Sequence, residues 1–93
     1  MSIPVDLAAL GDALHAYGTH AYLLTGGNDG RPHITHATVE WDGAVFTCGV
    51  GRGASTNIGS CDLVSLLWPP HEDGGYSMIV DATATASDGT ATV

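Results

Sequence analysis

The spacing of apolar positions changes once, early in the chain. From Pro4 to Tyr17 the residues Leu7, Leu10, Leu14 and Tyr17 recur at intervals of three and four, with Pro4 and Asp6 placed for a first turn and Gly18 at the natural stop. This spacing predicts an amphipathic helix. Gly11 within it costs about 1 kcal/mol relative to alanine, so the helix must draw its stability from docking on another element. Beyond Gly18 the pattern shortens to the alternation and brief apolar runs of strands. Tyr22 to Thr25 forms the first, closed by the flexible connection Gly26 to Gly30. The stretch "RPHITHATVEW" forms the second, in which Pro32 is tolerated at a strand start. Asp42 and Gly43 signal a two-residue turn into a third strand, Ala44 to Cys48.

The stretch "VGRGASTNIG" then reads as a glycine-flanked turn leading into a short helix. "LVSLLW", Leu63 to Trp68, is short and rich in large apolar side chains, as in a buried strand, and Pro69 and Pro70 end it. A polar loop leads to "YSMIVDATATA", a strand from Tyr76 that runs to a turn at Ser87, Asp88 and Gly89. Thr90 to Val93 open one more. A helix followed by five or six antiparallel strands, with one short helical crossover, predicts a mainly β single domain over residues 1–93: a small barrel with a helix on its rim.

Charge narrows the possible partners. Ten acidic residues face two cations, Arg31 and Arg52, with no lysine, for a net charge of −8. Such a field repels phosphate backbones and anionic bilayers, which argues against nucleic-acid and membrane partners. No basic segment precedes the apolar N-terminal residues, so a secretory leader is not expected and the cytoplasm is the default compartment. In that setting Cys48 and Cys61 are expected as free thiols.

Few residues offer chemistry. Arg52 stands among glycines, ahead of Ser55, Thr56 and Asn57, and an arginine fork beside hydroxyls and helix-start amides suits a phosphate. A solvated turn arginine is the plain alternative. His33 and His36 have H-x-x-H spacing, but on a strand they point to opposite faces, and no metal site is expected. His15, His20 and His71 are scattered. Cys48 lacks a base or cation to activate it and reads as a buried strand residue. Ser55 lies in nothing like a nucleophile elbow. Trp41 and Trp68 read as core or dimer-interface aromatics.

In combination, Gly30 and Pro32, Asp42 and Gly43, Phe46 and Thr47, Arg52 and Ser55, Asn57 and Ile58, and Val64 to Leu67 resemble the pyridoxamine 5′-phosphate oxidase-like flavin-binding split barrels. The likeness covers roughly residues 5 to 86 and lies in the order and spacing of all these elements. It implies an antiparallel split β-barrel of Greek-key type and a homodimer. It also implies FMN, or a deazaflavin, held between the subunits with its phosphate on the turn around Arg52. The cofactor-binding positions carried over are Arg52, Ser55, Thr56 and Asn57 for the phosphate. Those for the ring are Thr35, His36, Ala37, Thr38, Thr47 and Cys48, with Trp68 nearby. Strand alternation separates Thr35 and Ala37 from His36 and Thr38 without saying which set faces the ligand.

The implied activity is that of an oxidoreductase acting on a small molecule, with the flavin supplying the chemistry and no catalytic acid or base apparent. One departure from the family pattern keeps a second reading open. Where family members carry a lysine, three residues before the Asn, this chain has Ala54. The alternative is a non-catalytic split-barrel dimer module that has lost its cofactor. Because family members continue past the position of Val93, a shortened form or completion by the partner is expected, with a sheet edge left unpaired in the monomer.

Overall fold

A computed structural model describes residues 9–27, 29–71 and 74–93. Among them the chain forms α1 (Leu10–Tyr17), β1 (His20–Gly26), β2 (Pro32–Trp41), β3 (Phe46–Gly49), α2 (Arg52–Ser60), β4 (Leu63–Trp68), β5 (Met78–Thr83), β6 (Thr85–Ser87) and β7 (Thr90–Thr92). Two helices accompany one antiparallel sheet ordered β5-β4-β1-β2-β3-β7-β6. The predicted mainly β architecture, a small split barrel with an N-terminal helix and one short crossover helix, is the architecture observed.

The sheet's two outermost strands, β5 and β6, are consecutive in the chain and joined through Ala84 alone. So short a link holds the two ends of the sheet together, which requires it to curl. The amide of Ala84 donates to the carbonyl of Asp62 at 2.8 Å, closing the β4 side just before the chain changes partners to β7. Helix α2 crosses between β3 and β4, which are separated in the sheet by β2 and β1. It presents Ala54 and Ile58, one turn apart, to the concave side, where both are buried.

The inner face follows strand alternation. Ala21, Leu23 and Thr25 of β1, Ala37 and Val39 of β2, and Val64, Leu66 and Trp68 of β4 are all buried. Trp68 is 0% exposed; its indole Nε1 donates to the carbonyl of Gly18 at 3.1 Å, and its ring lies 5.6 Å from that of Phe46. One side chain thus ties β4 to the end of α1 and to β3. Helix α1 docks through Leu10, which is buried, while Leu14 and Tyr17 pack at the core's edge. Gly18 ends it at φ 86°, a conformation that favours glycine. The predicted first turn, Pro4 to Leu7, lies outside the described residues.

Several boundaries move for identifiable reasons. The turn after β2 takes four residues, Asp42 to Val45, because the Asp42 carboxylate accepts the amides of Ala44 and Val45, both at 2.8 Å. Gly43 sits there at φ 97°. Ala44 is therefore turn rather than strand. The predicted continuous strand from Tyr76 is two strands, β5 and β6, broken at Ala84, and it starts only at Met78. The sheet has seven strands, one or two more than expected. The final strand, β7, is hydrogen-bonded on both sides, to β3 and β6, so the open edges are those of β5 and β6. Strand β4 is buried on one face only: Leu63 on its other face is 66% exposed.

Candidate functional site

The turn singled out in the sequence becomes the first turn of α2. Gly51 is the N-cap in an extended conformation and Arg52 the first helical residue. The amide of Ser55 already donates to Gly51 O at 3.0 Å. Ser55, Thr56 and Asn57 therefore stand inside the helix, and their amides are not the unspent donors that the sequence placed there. Those donors belong to Arg52, Gly53 and Ala54, because the opening turn of an α-helix has no acceptors for them.

Arg52 is exposed and makes no ion pair among the described residues. Asn57 points the other way, donating through Nδ2 to the hydroxyl of Thr25 at 3.1 Å, so its side chain fastens α2 to β1. Beside the helix start, on the inner side of β2, His33 packs so tightly on Gly53 that a Cβ there would stand 3.3 Å from Nε2. His33 Nδ1 is buried with no hydrogen-bond partner among the described residues. Sequence spacing had raised His33 only as a metal ligand; its place beside α2 depends on tertiary packing.

The ring-binding set does not converge. Ala37 and Cys48 are buried in the core and Thr35 is half-buried on the same inner side, whereas His36 and Thr38 are exposed on the outer face. Thr47, paired with Glu40, faces outward. Trp68 is wholly enclosed in the core. Burial pushes the Cys48 thiol above its ordinary range, which keeps it protonated and unreactive at neutral pH. Both cysteines are free, Cys61 at the surface.

Two of the open clefts in the described surface bear on the site. One, of about 470 Å3, lies where β1, β2, β4 and β5 meet at the Gly26–Pro32 end, lined among others by Leu24, Thr25, Leu63, Ser65 and Asp81. Within it the Ser65 hydroxyl donates to the Asp81 carboxylate at 2.5 Å. The other, of about 570 Å3, lies between α1 and the end of β2, with His15, Glu40 and Trp41 on its walls. Arg52 lines neither.

The outer face of β5-β4-β1-β2 carries the largest exposed apolar side chains of the sheet. Ile79 is 62%, Leu63 66%, Ile34 57% and Tyr22 38% exposed, and Leu24 and Leu67 are half-buried beside them. The register aligns Ile79, Leu67, Tyr22 and His36 in one row across four strands. Apolar surface gathered in this way is uncommon on a monomer and marks interaction surfaces. No helix among the described residues is long and apolar enough to cross a membrane.

No known protein-family pattern matches the chain. It is similar to an uncharacterized protein of Mycobacterium bovis and one of Mycobacterium tuberculosis, 38% identical to each over 94 residues, spanning 90% of this chain and 66% of each relative. No solved structure matches.

Proposed function

We propose that the chain binds a flavin nucleotide, FMN or a deazaflavin, in a pocket completed by a second copy, and serves as an oxidoreductase for a small molecule. The observation that carries this reading is the apolar outer face with an open cleft at its end: one half of a shared, largely apolar site. The start of α2 fits a phosphate group in its donor chemistry. Among the described residues it offers one unpaired guanidinium and three unspent amides, with the His33 ring packed on Gly53 beside them. A bound flavin would supply the hydride or electron transfer. The protein's part would be to orient it, through Arg52 of one copy at the phosphate and through the outer-face side chains Tyr22 and His36 of the other at the ring.

One observation favours the second reading, a split-barrel dimer module without a cofactor. Arg52 lies outside both clefts, and Ala37 and Cys48 of the ring-binding set are enclosed in the core. Titrating the protein with FMN, and separately with a deazaflavin, while following flavin fluorescence, decides between them. Saturable binding that falls at least tenfold in Arg52→Ala supports the flavin reading. Absence of saturation with both, in a protein that still dimerises by sedimentation, favours the module.

A further inference from the structure

The outer face brings together two imidazoles far apart in sequence. His20 on β1 pairs with Thr38, and Tyr22 pairs with His36, which makes His20 and His36 diagonal neighbours on one side of the sheet. Their rings are 5.4 Å apart between centroids and within 16° of parallel. Tyr22 meets the His36 ring edge-on at 5.6 Å and 74°. Both histidines are exposed, and neither has a hydrogen-bond partner among the described residues. The H-x-x-H spacing draws attention to His33 and His36, which the strand separates to opposite faces; the actual partner of His36 comes from the neighbouring strand.

We propose that His20 and His36 together bind a divalent transition-metal ion of borderline softness, in the order Cu2+ above Ni2+ and Zn2+. Two imidazoles on one such ion, with metal–nitrogen bonds of about 2.0–2.1 Å, have ring centroids roughly 5 Å apart, close to the spacing already present. As they stand the rings are stacked, and their in-plane lone pairs do not meet; both rings must turn about their Cα–Cβ and Cβ–Cγ bonds, which their exposure permits, to bring a nitrogen of each to one ion. The electrostatic setting favours a cation. The protein carries a net charge of −8, Glu40 lies on the same face two residues beyond Thr38, and the two arginines are elsewhere, Arg31 in the β1–β2 connection and Arg52 on α2.

Among the described residues no three histidine, cysteine or carboxylate side chains converge, so these residues supply two ligands and water would fill the remaining positions. An ion held in this way exchanges readily and leaves open positions for an exogenous ligand. The preference for copper follows the general affinity order of nitrogen sites. Each imidazole binds the ion through a neutral ring nitrogen. The site lies toward the opposite end of β1 from the cleft at Gly26; it shares His36 with the proposed flavin pocket, but metal binding requires no flavin and is read without one.

The test is calorimetric titration of the whole chain, first freed of metal with a chelator, with CuCl2, NiCl2 and ZnCl2 at pH 7.5 in a non-coordinating buffer. The expected result is saturation by one ion per chain in the stated order, weakened at least tenfold by His20→Ala and by His36→Ala. The double variant His15→Ala with His71→Ala should leave it unchanged, since those residues lie elsewhere. Zn2+ added to the unaltered protein should shift the imidazole proton resonances of His20 and His36 ahead of the other three histidines, a readout that needs no variant to fold. Undiminished affinity in His36→Ala overturns the proposal. So does a first response at His15, His33 or His71, or no saturation below millimolar metal.

Discussion

The two faces of one sheet contrast in this protein. The inner face is closed: Leu23, Leu66 and Trp68 are wholly buried, α2 plugs the concavity with Ala54 and Ile58, and the buried polar side chain of Thr25 receives a bond from Asn57. The outer face is built from the alternate residues of the same strands, yet its large apolar side chains, Ile34, Leu63 and Ile79, stand in solvent. Inward residues are fixed by packing, and outward residues in such a sheet are ordinarily polar. Large apolar side chains left in solvent add little to the stability of the single chain, and surfaces of this kind mark interaction sites in general. Sequence composition averages over both faces; only the register separates them.

That contrast can be broken from either side. The largest effect is expected at Trp68→Ala, which empties the centre of the inner face and orphans Gly18 O; a loss of about 3–5 kcal/mol should appear in urea unfolding. A domain of this size has on the order of 5–15 kcal/mol in all, so this variant stands near the threshold of folding. Asn57→Ala should cost about 1–3 kcal/mol in the same measurement, because it leaves the buried Thr25 hydroxyl without its partner. On the outer face, Ile79→Asp should leave the unfolding free energy of the monomer within about 0.5 kcal/mol. If that face joins two copies, the dissociation constant measured by sedimentation rises at least tenfold, about 1.4 kcal/mol. A monomeric parent protein would remove the dimer from the functional reading.

The smallest effect is expected at the rim of the β2–β3 turn. The amides of Val45 and Ala44 hold the Asp42 carboxyl below its ordinary range. A folded-state pKa lowered in this way adds stability above the unfolded value and loses it as pH falls through the folded one. Asp42→Ala should therefore lower the melting temperature slightly at pH 7, and the difference from the parent should shrink once pH falls below the usual carboxylate range. Asp42 is fully exposed, so the effect is modest.

Much of the fold was legible because local rules governed it. Gly18 stops α1, the two prolines after Trp68 stop β4, and alternation in "RPHITHATVEW" gives a strand of nearly the observed length. The departures came from side chains acting on backbone. Asp42 captured two amides and lengthened a turn, and Gly51 capped α2 earlier than the hydroxyl residues suggested. The break at Ala84 was hidden because the Thr-rich alternation on either side is identical in kind; what differs is the partner strand. The sequence places Arg52 in a turn ahead of a helix, whereas it is the first residue of that helix, and whether it meets a cleft depends on how the helix is set against the sheet. The facing of Thr35 against His36, and the meeting of His36 with His20, follow from long-range pairing that no local spacing encodes.

The one-residue step at Ala84 has its own consequence. Because β5 and β6 leave the same point of the chain in different directions, the barrel's seam is tethered at its end. A foreign strand entering there would meet a border of only three residues on one side and a fixed corner between the two, which gives it little to grip and discourages chain-to-chain stacking.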